Sequence, residues 1–114
     1  MAIFRVKHSG STNGRAVALT TNAPATIHQT ITTTGTSDEV HVWVVNQGAS
    51  ATTITIYMGS TGTADATAQP IAAKSGFNLV VPGLFLASGL ICYGLAGATE
   101  CYAYGFANRL TTGA

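Results

Sequence analysis

Two cysteines, three histidines and four carboxylates carry most of the side-chain chemistry open to this 114-residue chain. A nucleophilic mechanism needs a nucleophile, a base within hydrogen-bond reach and a group that orients the base. The set to consider is Cys92 or Cys101 with His8, His28 or His41. Both cysteines lie in apolar runs, where a free thiol behaves as a small hydrophobe, and no Gly-x-Ser-x-Gly elbow occurs. Packing, not catalysis, is the expected role. Glu39 and His41 project to one face of a strand at i and i+2, but two ligands are too few for a metal centre. His8 and His28 are remote in sequence, so histidines gathered on a trimer axis are the one alternative to plain exposed strand residues. Asp38 and Glu39 are adjacent and point apart on a strand, unlike the facing carboxylates of a glycoside hydrolase. No catalytic residue, metal or cofactor is expected.

Aromatic residues are the other candidates. Trp43 and Tyr57 share the outward face of the hairpin described next, diagonally placed. Tyr102, Tyr104 and Phe106 form a stripe on the last strand, opposite the small residues Cys101, Ala103, Gly105 and Ala107. Such rings can stack on a sugar, as in a carbohydrate-binding module, or sit at the centre of a subunit interface, where Trp and Tyr are enriched. Trp43, Tyr57, Tyr102, Tyr104 and Phe106 are the candidate interface.

The stretch from Glu39 to Gly59 must position these groups. Val40, Val42 and Val44 alternate with His41, Trp43 and Val45, and Ile54, Ile56 and Met58 alternate with Thr53, Thr55 and Tyr57. Period two marks both halves as half-buried strands, with Asn46, Gly48 and Ser50 as turn residues between them. A hairpin pairing Val44 with Ile54, Val42 with Ile56 and Val40 with Met58 puts the apolar set on one face, and a one-residue slip would split it.

Elsewhere, Ile3 to His8 alternates Phe4 and Val6 with Arg5 and Lys7, as an edge strand with one wet face would. Ala16 to Thr20 is a short strand, and Thr26 to Thr33 a strand with Ile27 and Ile31 inward, lying beside Val40 and Val44 or in a second sheet. Ser60 to Ala68, without a large apolar residue, reads as the longest loop, and Gln69 to Ala73 as a short strand. Phe77, Leu79 and Val81 form an inward set that stops at Pro82-Gly83, after which Leu84 to Leu86 continue. Gly89 to Ala96 and Thr99 to Asn108 read as a hairpin around Gly97. The sum is an all-β, single-domain antiparallel β-sandwich or jelly roll of about eight short strands over residues 1–114, with residues 1–14 an N-terminal arm or edge strand.

Composition narrows the function. Charged residues make up 8% of the chain, against about 25% in average soluble domains. A surface of hydroxyls and small apolar groups suits a part covered by other subunits better than a freely diffusing monomer. Net charge is +1, and five scattered cations make no basic face for nucleic acid. Arg5, Lys7 and Arg15 guard an edge strand from aggregation. The N-terminus has no apolar signal core, so the cysteines are expected to stay reduced. Leu79 to Ala98 is long and uncharged, yet Pro82, Gly83, Gly89, Gly94 and Gly97 interrupt it, which favours buried strands over a membrane helix.

Residues 39–106 resemble small virion proteins of tailed bacteriophages, capsid decoration (cement) proteins above all. The resemblance is carried by Val40 to Asn46, by Thr53 to Met58 with the Gly-Ser-Thr-Gly that follows, by Phe77 to Ile91, and by the final strand Cys101 to Phe106. It implies a β-sandwich that trimerises on the virion surface and stabilises the phage head by clamping neighbouring subunits of the major capsid protein, with assembly in the bacterial host cytoplasm. A tail or head-to-tail connector component shares the same texture. Such proteins often carry a more acidic outer surface than this chain has.

Overall fold

The structure is a computed structural model and describes residues 2–111. Met1 and residues 112–114 of the expected domain lie outside them. Nine strands run in chain order: β1 (Ala2–Lys7), β2 (Val17–Leu19), β3 (Ala25–Gln29), β4 (Thr36–Asn46), β5 (Thr52–Gly59), β6 (Ala66–Ile71), β7 (Asn78–Ala87), β8 (Ile91–Ala96) and β9 (Cys101–Thr111). One short 3-10 turn, Thr63–Asp65, precedes β6.

One sheet has the order β1-β9-β4-β7, with β2 also paired to β9; the other has the order β3-β8-β5-β6, and every pairing is antiparallel. β1 covers Phe106 to Thr111 of β9 and β2 covers Cys101 to Ala103, so the two are halves of one interrupted edge strand. Taking them as one, the chain pairs first with last, β3 with β8, β4 with β7 and β5 with β6. This is a long hairpin folded over on itself, the two-sheet jelly roll.

The alternation in β4 determines which side chains make the core. Thr36, Asp38, Val40, Val42, Val44 and Asn46 are buried, and every residue between them is partly exposed. Ile54, Ile56 and Ile71 face them from the second sheet together with Ile27 and Cys92, while Val81, Cys101, Ala103 and Ala107 fill the first. Each fully buried branched side chain contributes about 1.5–3 kcal/mol. Gly94 permits the close approach of the layers, since a Cβ there would lie 2.9 Å from both Ile27 Cδ1 and Leu19 Cδ2.

The inward sets agree with the sequence pattern, but the two expected hairpins do not form. β4 and β5 lie in opposite sheets, so Val40, Val42 and Val44 meet Ile54 and Ile56 across the core rather than side by side. A hairpin would leave its apolar face in need of a cover, whereas opposed strands cover each other. Asn46 manages the crossing: its Oδ1 accepts the Gly48 N–H at 2.9 Å and its Nδ2 donates to the Ser50 carbonyl at 2.9 Å. β8 and β9 likewise separate at Gly97, whose N–H bonds the Thr53 carbonyl at 3.0 Å.

Three smaller expectations are also corrected. β3 ends at Gln29 and pairs with β8, leaving Ile31 37% exposed. Ala66 to Ala68 belong to β6 because they pair with Thr55 to Tyr57, which shortens the expected loop. In β7 the register slips beside Trp43, so that Val81 opposes Val42 but Leu79 opposes Trp43. This bulge turns Val80 toward the core and Leu79 out of it, leaving Leu79 50% and Phe77 66% exposed. Membrane-helix length gave no helix: the Leu79 to Ala98 run forms β7 and β8, and among the described residues no helix is long and apolar enough to cross a membrane.

Candidate functional site

The chemistry-bearing residues fall into two groups on opposite sides of the β1-β9-β4-β7 sheet. On its inner side, Asp38 of β4 is fully buried and is gripped by Arg109 of β9, whose Nε and Nη2 donate to Oδ1 and Oδ2 at 2.9 and 3.0 Å. His28 of β3 meets the same carboxylate at 2.6 Å through Nε2. Its Nδ1 accepts the Ser9 N–H at 3.0 Å, so Nε2 carries the proton and donates it. Burial alone would raise the Asp38 pKa, but the bonds from Arg109 and His28 outweigh it and hold the carboxyl below its usual value. The same bond to Asp38 raises the Arg109 pKa.

His8 packs beside this group, its ring centroid 5.7 Å from that of His28. Its Nε2 lies 2.9 Å from the His41 carbonyl and 3.2 Å from that of Phe106, and donates to both. Burial, and then the neighbouring His28, push its pKa down to about 4, so the ring is neutral at pH 7. Among the described residues no buried side-chain nitrogen or oxygen lacks a partner. His8 and His28 are thus interior residues that cannot gather on a subunit axis.

The cysteines pack as expected. Cys92 and Cys101 are buried free thiols, on β8 and β9 in opposite sheets. Burial pushes the Cys92 thiol up to about 12, which leaves no thiolate for attack. Burial, followed by the charge of Glu100, also raises Cys101. Among the described residues no three His, Cys, Asp or Glu side chains are placed to share a metal ion.

On the outer side of the same sheet lies a continuous aromatic surface. Trp43, Tyr104 and Phe106 come from the outward positions of β4 and β9, as the alternation requires. His41 joins them, its ring 4.8 Å from Phe106 and 6.3 Å from Trp43. Phe77 leans in edge-on against Tyr104 at 5.1 Å, and Arg5 of β1 lies 4.3 Å above the Phe106 ring. Trp43, Phe77, Tyr104 and Gly105 line an open hollow of about 420 Å³.

A polar chain borders the rings. Arg5 Nε donates to Asn108 Oδ1 at 3.3 Å, Asn108 Nδ2 donates to Glu39 Oε1 at 3.2 Å, and His41 Nε2 meets that oxygen at 2.8 Å. The bonds from His41 and then Asn108 lower the Glu39 pKa. Glu39 and His41 therefore form part of a surface network rather than isolated strand residues.

Tyr102 also lies on this sheet face, opposite Val45. Tyr57 does not: it sits on the outside of the other sheet, across from Tyr93, and the expected diagonal pair with Trp43 is absent because β4 and β5 are not neighbours. Phe77 is the member that the alternation placed inside, and Leu79, placed inside with it, is turned out opposite Trp43. Pro82-Gly83 and the doubled Val80-Val81 were the available signs of an irregular strand, but neither says where a bulge reverses the faces. No family model, curated protein or solved structure matches this chain.

Proposed function

We propose that the chain is a structural subunit that works by being built into a larger assembly through the outer face of the β1-β9-β4-β7 sheet. The observation that carries this is the aromatic surface of Trp43, Phe77, Tyr104 and Phe106 around an apolar hollow of about 420 Å³. An exposed Phe77 beside the partly exposed rings of Trp43, Tyr104 and Phe106, rimmed by Arg5, Asn108 and Glu39, has the anatomy of a protein interface. With 8% charged residues, the rest of the surface has little of its own to keep it apart from neighbours.

Within that class, the resemblance to phage decoration proteins makes the assembly a virion. The chain then forms a ring of three on the capsid and clamps neighbouring major capsid subunits. Binding to the assembled shell but not to free subunits stabilises the shell by mass action. The test is binding to decoration-free heads, with Phe77→Asp as the variant, since at 66% exposure the change leaves the fold intact. Saturable binding that raises the heat resistance of heads, and is lost in the variant, is expected. Binding to tails alone would favour the connector reading. A monomer that ignores both and binds an oligosaccharide would make this a sugar-binding module.

A further inference from the structure

The interrupted edge strand that begins with β1 is held down mainly from its end. β1 buries little: Ile3 is 64% and Phe4 56% exposed, and its length is held by pairing with β9 and by Arg5, which reaches Asn108 and the Phe106 ring. The residues after it do the anchoring. His8 enters the interior and donates to carbonyls of β4 and β9. Ser9 gives its N–H to His28 Nδ1 at 3.0 Å and takes the Gln29 N–H on its hydroxyl at 2.6 Å. Gly10 lies flat on β3, its N–H 3.0 Å from the Ile27 carbonyl, where a Cβ would come within 2.3 Å of the Thr26 carbonyl oxygen.

The seat for His8 is shaped to the ring. Gly105 has φ +143°, and a Cβ there would lie 2.9 Å from His8 Cε1 and 2.2 Å from the His41 carbonyl oxygen. The anchor thus depends on two neutral imidazoles. His28 Nδ1 can hold Ser9 only while unprotonated, and a proton there would place donor against donor. His8 has no carboxylate beside it. From β3 it meets His28; from β4 the backbone of His41, whose ring turns to the outer face; from β9 the backbone of Phe106. The carboxylate of the cluster, Asp38, is already neutralised by Arg109, and Lys7 on the arm points its ammonium to the Ser11 carbonyl at 2.9 Å.

We infer that β1 and the His8 to Ser11 turn form a proton-sensitive latch, closed at neutral pH and released by mild acid, which uncovers the β9 edge from Phe106 to Thr111 while the two-sheet core stays folded. Opening puts His8 in water, where it takes a proton, and parts the Ser9 N–H from His28 Nδ1. With the His8 pKa moved from 6.5 to about 4, its protonation alone favours the open arm by up to about 300-fold across that range.

Amide hydrogen exchange on the full chain, corrected for intrinsic rates, tests this. Protection of the β1 amides paired to β9 is expected to fall by roughly a hundredfold between about pH 7 and pH 4.5, through an opening insensitive to low urea. Amides of β5 and β8 should stay better protected and respond to urea. Protection of β1 that is flat with pH, or loss of β1 and core protection through one urea-sensitive opening, would overturn the latch. His8→Gln keeps a donor for the two carbonyls without a titrating ring, and should shrink the pH response of β1 by roughly tenfold or more. Should that variant not fold, the ring protons of wild-type His8 decide: titration near 6.5 with β1 still paired overturns the inference.

Discussion

Removing the charge of Asp38 tests whether the buried polar cluster holds the two sheets together. Asp38→Asn preserves size but leaves Arg109 without its counter-charge. It also turns an amide N–H or a poorer acceptor toward His28, whose tautomer is set from the other side by Ser9. His28 cannot adapt by moving its proton, because Nδ1 is occupied. Breaking a buried pair by deleting one partner costs about 3–5 kcal/mol. Arg109 is 21% exposed, so water relieves part of the loss and the lower end, about 3 kcal/mol, applies. At a urea slope of about 2 kcal/mol/M the midpoint should fall by about 1.5 M. Adding Arg109→Met removes the stranded cation, so the double variant should recover about 1–3 kcal/mol relative to the sum of the single changes. Glu39→Gln, one residue away on the outer face, should move the midpoint far less. A loss below about 1 kcal/mol for Asp38→Asn, or strict additivity with Arg109→Met, would refute the argument that the cluster is a coupled unit.

Stability should also fall with acid. Above pH 6.5 His8 is neutral in both states, while between pH 6.5 and about 4 the unfolded chain binds the proton and the folded chain binds it only with the arm open. Urea-measured stability therefore falls by up to about 3 kcal/mol while the closed arm dominates and levels off once the open arm does. Asp38, with its folded pKa lowered, contributes stability above its unfolded pKa of 3.8 that is lost as the pH drops further, through its folded value. Gly105→Ala must accommodate a Cβ 2.2 Å from the His41 carbonyl oxygen at φ +143°, so a thermal midpoint lower by an amount equivalent to about 2–4 kcal/mol is expected, and an unchanged one would contradict the His8 seat. Strong reductant should leave the thermal midpoint where it is, and thiol reagents should label Cys92 only upon unfolding; rapid labelling of the native protein would show that β8 is not buried as described.

The alternation of side chains by itself determined the class of fold and most of the core. Val40, Val42, Val44, Ile54, Ile56, Ala103 and Ala107 point inward because a strand places successive side chains on opposite faces, whatever its neighbours are. The same rule put Trp43, Tyr104 and Phe106 outside, so part of the candidate interface was legible. It also marked β1 as an edge strand, from its alternating cations.

Periodicity encodes a face, not a partner. Whether an apolar face is covered from the side or from across the core depends on what the distant chain supplies, so only the tertiary structure sent β4 and β5, and then β8 and β9, to opposite sheets. That choice separated Tyr57 from Trp43. The bulge beside Trp43 reversed Leu79, because one extra residue in β7 flips every side chain beyond it. His28, Asp38 and Arg109 stand 10 and 71 residues apart and have no motif that announces them. They meet because strand pairing places Asp38 opposite Arg109 and the sandwich lays β3 over both, and burial then makes their mutual bonds obligatory.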